Sequence, residues 1–387
     1  MKAYKTQIKP SAKQRGKIRQ TIGVCRFIYN LYISHNKEIY EKEKIFMTAV
    51  DFSKWLNNEY IPNNPDKSWI KDASSKAVKQ SIRNAEMAFK RFFKGLSGFP
   101  NFKKKRNQDV KMYFVKNDAK TIIDCERHKI KIPTLGDVKL KEYGYLPTDE
   151  IIKSGTVSEK AGRFYVSILT GSQPGGASSM PGSSDAGIGV DLGLKEFAVV
   201  SNGQIFENKN KTKKTKELEK KLRREQRSLS RKYESKKKRK EELTKRSANI
   251  EKNVLRVQKI HDALLRRRQE YARYVVSVLV KTKPKYITIE DLNVSGMMKN
   301  KHLSKAIASQ GFYYFRKWLE YKCKCLGIEL RVVDRFYPSS KACCVCGHIK
   351  TDLKLKDRIY ICGCGNQIDR DLNAAISLER CTEYKIA

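Results

Sequence analysis

Between Gly171 and Asp185 the chain reads GSQPGGASSMPGSSD, almost entirely Gly, Ser and Pro and without apolar periodicity. Such a stretch, native or an engineered scar, is a flexible linker and contributes nothing to a core. The halves on either side therefore need separate cores, and 387 residues are long enough for two or three domains.

The first half changes period once. Residues 1–15 read as a strand followed by a basic turn, 16–105 as helical and 106–170 as strands. In Ser75–Phe93 the residues Val78, Ile82, Ala85 and Phe89 recur at helix spacing and form one apolar face. Lys76, Gln80 and Arg83 share another face, either plainly solvated or placed to read a nucleic-acid groove. Lys103, Lys104 and Lys105 follow Phe99 and Phe102 in GFPNFKKKR, a mix suited to phosphate contact and base stacking but also found on ordinary loops. Val110–Val115, Lys129–Ile132, Val138–Lys141 and Phe164–Leu169 read as strands of a small β-barrel, with the helical segment inserted after its first strand.

In the second half, Ile188–Gly193 and Lys195–Ser201 flank a turn, and Asn202-Gly203 signals a hairpin. Leu222, Leu229, Leu243, Ile250, Val257, Leu264 and Tyr271 keep a seven-residue spacing, interrupted at Lys236. That predicts a helical hairpin over 205–282, bent near Tyr233–Lys240, whose seam can close within one chain or between two. Tyr286–Glu290 reads as a buried strand and Ala306–Leu326 as one helix.

Charge narrows the partners. Lys and Arg number 82 against 41 acidic residues, a net +41 that a compact chain sustains best against a polyanion, above all a nucleic acid. Between Lys209 and Arg246 alone, 19 basic residues face 6 acidic ones, enough to hold a phosphate backbone. The apolar runs near Tyr274–Val280 are too short to span a bilayer, and Met1–Pro10 has no signal-peptide core. Five of the ten cysteines fall between Cys343 and Cys364, which favours metal ligation in a reducing cytoplasm over a disulfide scaffold.

Three acids stand where local structure converges them. Asp191 ends an apolar strand before a glycine turn, Glu290 ends another, and Asp369 and Asp371 open a helix in IDRDLNAA. Singly, each acid can end a strand, cap a turn or cap a helix. Together they make an oxygen-lined pocket for two Mg²⁺ ions, the arrangement that supports phosphodiester hydrolysis. Cys343 and Cys346, then Cys362 and Cys364 after fifteen residues, supply four thiolates for a tetrahedral Zn²⁺. Cys344 is an alternative to Cys343, whereas Cys25, Cys125, Cys323 and Cys325 read as packing residues.

The segments GVDLGLKEFAVVSNG, ITIEDLNVSGM, FYPSSKACCVCG and CGCGNQIDRDLNAA resemble, in order and spacing, the RuvC-like nuclease half of the transposon-encoded TnpB proteins, compact relatives of type V CRISPR effectors. GVCRFIYNLY, SSKAVKQSIRNAEMAFKRFF and GFPNFKKKR extend the resemblance into the first half. It implies an α+β multidomain fold: a wedge β-barrel (1–15 and 106–170) with an inserted helical recognition lobe (16–105), the linker, and an RNase H-like/RuvC domain (186–387) with a helical-hairpin insertion (205–282) and a zinc ribbon (336–366). The resemblance further implies a guide RNA, a target double-stranded DNA with a short flanking motif, and cleavage at Asp191, Glu290 and Asp371, with Asp369 as runner-up. Lys76, Gln80 and Arg83 become DNA contacts, and Cys343, Cys346, Cys362 and Cys364 the zinc ligands. A cleavage-silent RNA-guided repressor would be expected to have lost acids of this set. A transposase would be expected to end its acidic pattern in Glu, whereas this chain runs Asp, Glu, Asp.

Overall fold

The computed structural model describes residues 2–116, 123–171, 186–240, 247–354 and 357–387, so most of the Gly/Ser/Pro segment and Leu243 lie outside the described residues. The chain forms two compact units, Met1–Pro174 and Gly175–Ala387.

The first unit begins with β1 (Lys2–Lys9) and α1 (Ala12–Glu43). Helix formation starts earlier than the expected basic turn allows, because Ser11 and Gln14 form a reciprocal capping box. Lys13 and Arg15 therefore lie in the first turns of the helix. After α2 (Ala49–Trp55) and the short α3 (Ile61–Asn63) comes α4 (Ser75–Phe93). Val78, Ile82, Ala85 and Phe89 of α4 are all buried, in a core shared with Val24, Ile28 and Tyr32 of α1. The apolar stripe at helix spacing thus buries itself against its longest neighbour.

Strands β2 (Met112–Val115), β3 (Asp124–Cys125), β4 (Lys129–Ile132), β5 (Gly136–Leu140), β6 (Ile152–Lys160) and β7 (Arg163–Thr170) follow. With β1 they form an antiparallel sheet in the order β2-β6-β7-β1-β5-β4-β3, so β1 joins two strand groups that come much later in the chain. Met112 and Phe114 from one end strand and Cys125 from the other share one core. Strand β6 has no counterpart in the residue pattern, since Ser, Gly, Glu and Lys dilute its alternation. Its glycine has a packing role: a Cβ on Gly155 would lie 2.3 Å from the Phe114 ring.

The second unit contains β8 (Ile188–Leu192), β9 (Glu196–Val200), β10 (Ile205–Glu207), α5 (Lys213–Lys238), α6 (Ala248–Lys281), β11 (Tyr286–Glu290), α7 (Val294–Met297), α8 (Ser304–Gln310), α9 (Phe312–Leu326) and β12 (Glu329–Val333). It closes with β13 (Ile359–Ile361), β14 (Gln367–Asp369), α10 (Arg370–Arg380) and β15 (Lys385–Ile386). The main sheet runs β10-β9-β8-β11-β12-β15, with β8, β11 and β12 parallel and the other pairs antiparallel. The β9–β10 hairpin turns at Asn202-Gly203, where Gly203 takes φ +85° and Asn202 accepts from the Gln204 amide at 3.0 Å.

The expected single helix over Ala306–Leu326 is instead two, α8 and α9. They part at Gly311, whose φ of +70° is left-handed and ends α8. Along the hairpin, Ile250 and Leu264 of α6 are buried, and Asn253 donates to Glu225 of α5 at 2.9 Å, so this seam closes within the chain. Lys236, the polar member of the seven-residue series, is buried as well.

One face of the sheet receives α6 and α9. Val190, Ile287 and Ile289 pack there with Val275, Val276, Phe315 and Leu319. Strand alternation turns Gly189 to the opposite face, where it meets α10.

Candidate active site and metal centre

Parallel pairing levels two of the acids. Strands β8 and β11 match Ile287 with Ile188, Thr288 with Gly189 and Ile289 with Val190. One residue further along each strand stand Asp191 and Glu290, side by side at the carboxyl ends. The third acid arrives on α10. Asp369 is that helix's N-cap, its Oδ1 accepting from the Asp371 amide at 2.9 Å and the Leu372 amide at 3.1 Å. Its carboxylate is committed to the backbone, while Asp371 in the first turn accepts from the Arg370 guanidinium at 3.1 and 3.3 Å.

Burial raises the Asp191 carboxyl to about 8, and the charges of Glu290 and Asp371 push it the same way against Arg370 and the Leu192 amide. Burial also raises Glu290, opposed by a hydrogen bond from the Ser339 hydroxyl. Clustered, desolvated carboxylates that repel one another's charge are what a divalent cation relieves. Asp291, the next residue, is held low by hydrogen bonds from Arg316 and Arg335. A cavity of about 330 Å³ opens beside Glu290, with Leu192, Asn293, Phe312, Arg316 and Arg335 in its walls.

The four expected cysteines do converge. Among the described residues, Cys343, Cys346, Cys362 and Cys364 are the one set of three or more Cys, His, Asp or Glu side chains whose ligand atoms all lie within 4.8 Å of one another. The carboxylates are more loosely gathered. Cys343 Sγ lies 3.7 Å from Cys364 Sγ, and Cys346 Sγ lies 3.6 Å from Cys362 Sγ. Four sulfurs bound at ~2.3 Å to one tetrahedral ion would stand about 3.8 Å apart, so the donor set fits zinc. Burial raises the Cys343 thiol, yet the Cys346 and Val345 amides outweigh it and bring it down to about 6. Cys344 is outside the set; its amide donates to Asn373 and its sulfur accepts from Asn366.

The basic candidates divide. Lys76 and Arg83 are exposed on α4, Gln80 is half-buried and donates to Asn84, and Lys104 and Lys105 are exposed. Lys103 is engaged internally: its ammonium pairs with Asp109 at 2.7 Å and its amide donates to Asn30. Phe99 packs edge-on against Phe89 and Phe92. Two polar residues near the acids escaped the residue pattern. Ser339 contacts Glu290, and Gln310 donates to the Gly193 carbonyl at 2.9 Å, holding the turn after Asp191. Their sequence distance from the acids leaves no local signal.

Three family models match different parts of the chain: "Helix-turn-helix domain" of OrfB_IS605 over 1–44, "Probable transposase" OrfB_IS605 over 181–301, and "Cas12f1-like, TNB domain" over 312–378. Two bacterial proteins, both bearing the name "Putative RNA-guided DNA endonuclease", align along nearly its whole length. InsQ of Escherichia coli K12 is 29% identical over 94% of this chain and 87% of its own. A Streptomyces pristinaespiralis protein is 28% identical over 97% of this chain and 87% of its own.

Along nearly its whole length, then, this chain is similar to TnpB-like proteins.

The chain also shares its fold with Cas12f1 from a Cas12f1-sgRNA-target DNA complex, at a TM-score of 0.60 and 16% identity over 95% of this chain and 82% of that one. Among the described residues, no helix is long and apolar enough to cross a membrane.

Proposed function

We propose that this chain is a TnpB-family, RNA-guided DNA endonuclease that binds a guide RNA, recognises a short motif flanking its double-stranded DNA target, and hydrolyses phosphodiester bonds at a RuvC-like site. The observation that carries the proposal is the levelling of Asp191 with Glu290 on parallel strands, with Asp371 presented by the helix packed on β8. The relatives' names and the nucleic acids bound by Cas12f1 support the same partners.

Asp191, Glu290 and Asp371 would hold two Mg²⁺ ions, which activate water and stabilise the leaving oxygen of a phosphodiester. The protein's own groups prepare that pocket. Asp191, buried beside two other acids, has its carboxyl raised to about 8 in the cation-free chain, and as a carboxylate it would be one of the ligands that hold a cation. Ser339 and Arg370 orient Glu290 and Asp371 by hydrogen bonds. Asp369 serves the helix end rather than the reaction.

In this proposal residues 16–105 form the recognition lobe, with Lys76, Gln80 and Arg83 toward the flanking motif and Lys104 and Lys105 on phosphates. Strand β1 and residues 106–170 form the wedge; of the expected 205–282 hairpin, 205–207 belong to β10 in the sheet, and α5 and α6 lay the basic hairpin along nucleic acid. The cysteine cluster holds a structural Zn²⁺. Because all three acids are retained, cleavage is favoured over guided binding alone.

The test is to express the chain with its native flanking DNA and sequence the RNA that co-purifies. One abundant RNA with a structured part and a variable end, supporting Mg²⁺-dependent cutting of matched DNA, is expected. Random host fragments, with no guide-dependent cutting, would refute the proposal.

A further inference from the structure

The peptide around Cys343 is held from two sides by residues next to the acids. On α10, two positions after Asp371, Asn373 is fully buried. Its amide nitrogen donates to the Ala342 carbonyl at 2.7 Å, and its carbonyl oxygen accepts from the Cys344 amide at 3.0 Å. One side chain thus grips the backbone immediately before and after Cys343. Ser377, one turn further along, donates to the same Ala342 carbonyl at 3.2 Å, and Arg380 donates to the Cys344 carbonyl. Four residues before Cys343, the buried Ser339 hydroxyl donates to Glu290 Oε1.

We infer that the cysteine cluster is a positioning element for the carboxylate site, acting through Asn373 and Ser339. The segment Ser339–Cys344 is a short strap whose Ser339 end is set by Glu290 and whose Ala342–Cys344 end is set by the cluster and α10 together. Buried amides and hydroxyls tolerate little displacement, because a broken bond leaves a desolvated polar group without a partner. A shift of Cys343 therefore transmits to Asp371 through Asn373 and to Glu290 through Ser339. Ordering the cluster with metal orders the carboxylates, and loss of that metal loosens them. Neither Asn373 nor Ser339 touches substrate in this scheme. This inference rests on the proposed carboxylate site, so its test reads cation binding directly.

The experiment titrates Mn²⁺ into the zinc-loaded full chain, followed by electron paramagnetic resonance, for the parent and for Ser339→Ala, Ser339→Thr and Asn373→Ala. The first and last variants are expected to keep a full complement of zinc and a native circular dichroism spectrum, yet to bind Mn²⁺ at least about fivefold more weakly, a coupling of roughly 1 kcal/mol. Ser339→Thr, which retains the hydroxyl, is expected to restore the parent affinity. Stripping zinc from the parent is expected to weaken Mn²⁺ binding by a similar factor, with a smaller effect in Ser339→Ala. Unchanged Mn²⁺ affinity in a folded Ser339→Ala, or the same loss in Ser339→Thr, would overturn the inference even if Asn373→Ala failed to fold. An Asp191→Ala control that binds Mn²⁺ like the parent would instead overturn the carboxylate site itself, and the inference with it.

Discussion

A Cβ placed on Gly189 would lie 1.9 Å from the Ala375 carbonyl oxygen and 2.6 Å from the Glu379 amide nitrogen. Helix α10 therefore rests directly on the backbone of β8, with only hydrogen between them. Two residues beyond Gly189 is Asp191, and four before Ala375 is Asp371. The missing side chain sets the depth at which the third acid approaches the first.

Gly189→Ala is accordingly expected to push α10 off β8. Overpacking of this kind costs about 1–3 kcal/mol, and the atoms it would meet are backbone, so no side chain can swing aside. Calorimetric melting should show the loss, and Mg²⁺-dependent cleavage should fall further than guide-dependent target binding. Parent-like stability and cleavage would contradict the close approach.

Asp191 gives a pH dependence of definite sign in cation-free protein. Its carboxyl titrates at about 8 when folded and near the ordinary carboxylate value of about 4 when unfolded. Between those limits the folded chain alone keeps the proton, so rising pH favours unfolding, and the full cost is present above about 8. With chelator present, Asp191→Asn is expected to raise the melting temperature near pH 8 by several degrees, at about 2–4 °C per kcal/mol, with little gain near pH 4. Saturating Mg²⁺ should stabilise the parent but not the variant.

The two aspartates of IDRDLNAA separate by role. Asp369→Ala removes a helix N-cap and is expected to cost about 1 kcal/mol in thermal or urea unfolding while leaving cleavage measurable. Asp371→Asn should leave stability nearly unchanged and abolish cleavage with target binding intact. The reverse assignment would make Asp369 the metal ligand.

Zinc content distinguishes neighbouring cysteines. Cys343→Ser is expected to lower bound zinc, measured by mass spectrometry, and to lower the melting temperature, whereas Cys344→Ser should keep full zinc because its sulfur stands outside the cluster. Equal zinc loss in both would assign the ligands differently.

On α4, Lys76→Ala and Arg83→Ala are each expected to weaken target-DNA binding and, if they meet phosphates, to reduce the salt slope by about 1. Lys103→Ala should act mainly on stability, through its pairing with Asp109. Filter binding across a salt series reads both effects.

Local patterns announced several parts of this molecule. Tyr286–Glu290 and Lys129–Ile132 occupy the strand spans their residues predict, and the α4 stripe is buried at each expected position. Asn202-Gly203 makes its turn, and cysteine spacing picked out the cluster except for the choice between Cys343 and Cys344. In these cases the deciding forces act over a few residues: side-chain period, turn geometry and ligand chemistry. Other outcomes required the folded chain. Strand β6 is diluted by polar residues and becomes a strand because β2 and β7 supply its hydrogen bonds, with Gly155 admitting Phe114. The Ser11–Gln14 capping box was present in the residues but lies in the stretch whose basic residues read as a turn.

By itself, the sequence determined the kinds of chemistry available: three acids at element ends, four thiolates in two pairs, and basic charge for a polyanion. Only the tertiary structure decided which aspartate caps and which faces Asp191, which of Cys343 and Cys344 joins the cluster, and that Ser339 reaches Glu290. Those choices depend on contacts between residues tens to hundreds of positions apart, and distance along a chain carries no record of distance in space until the core has packed.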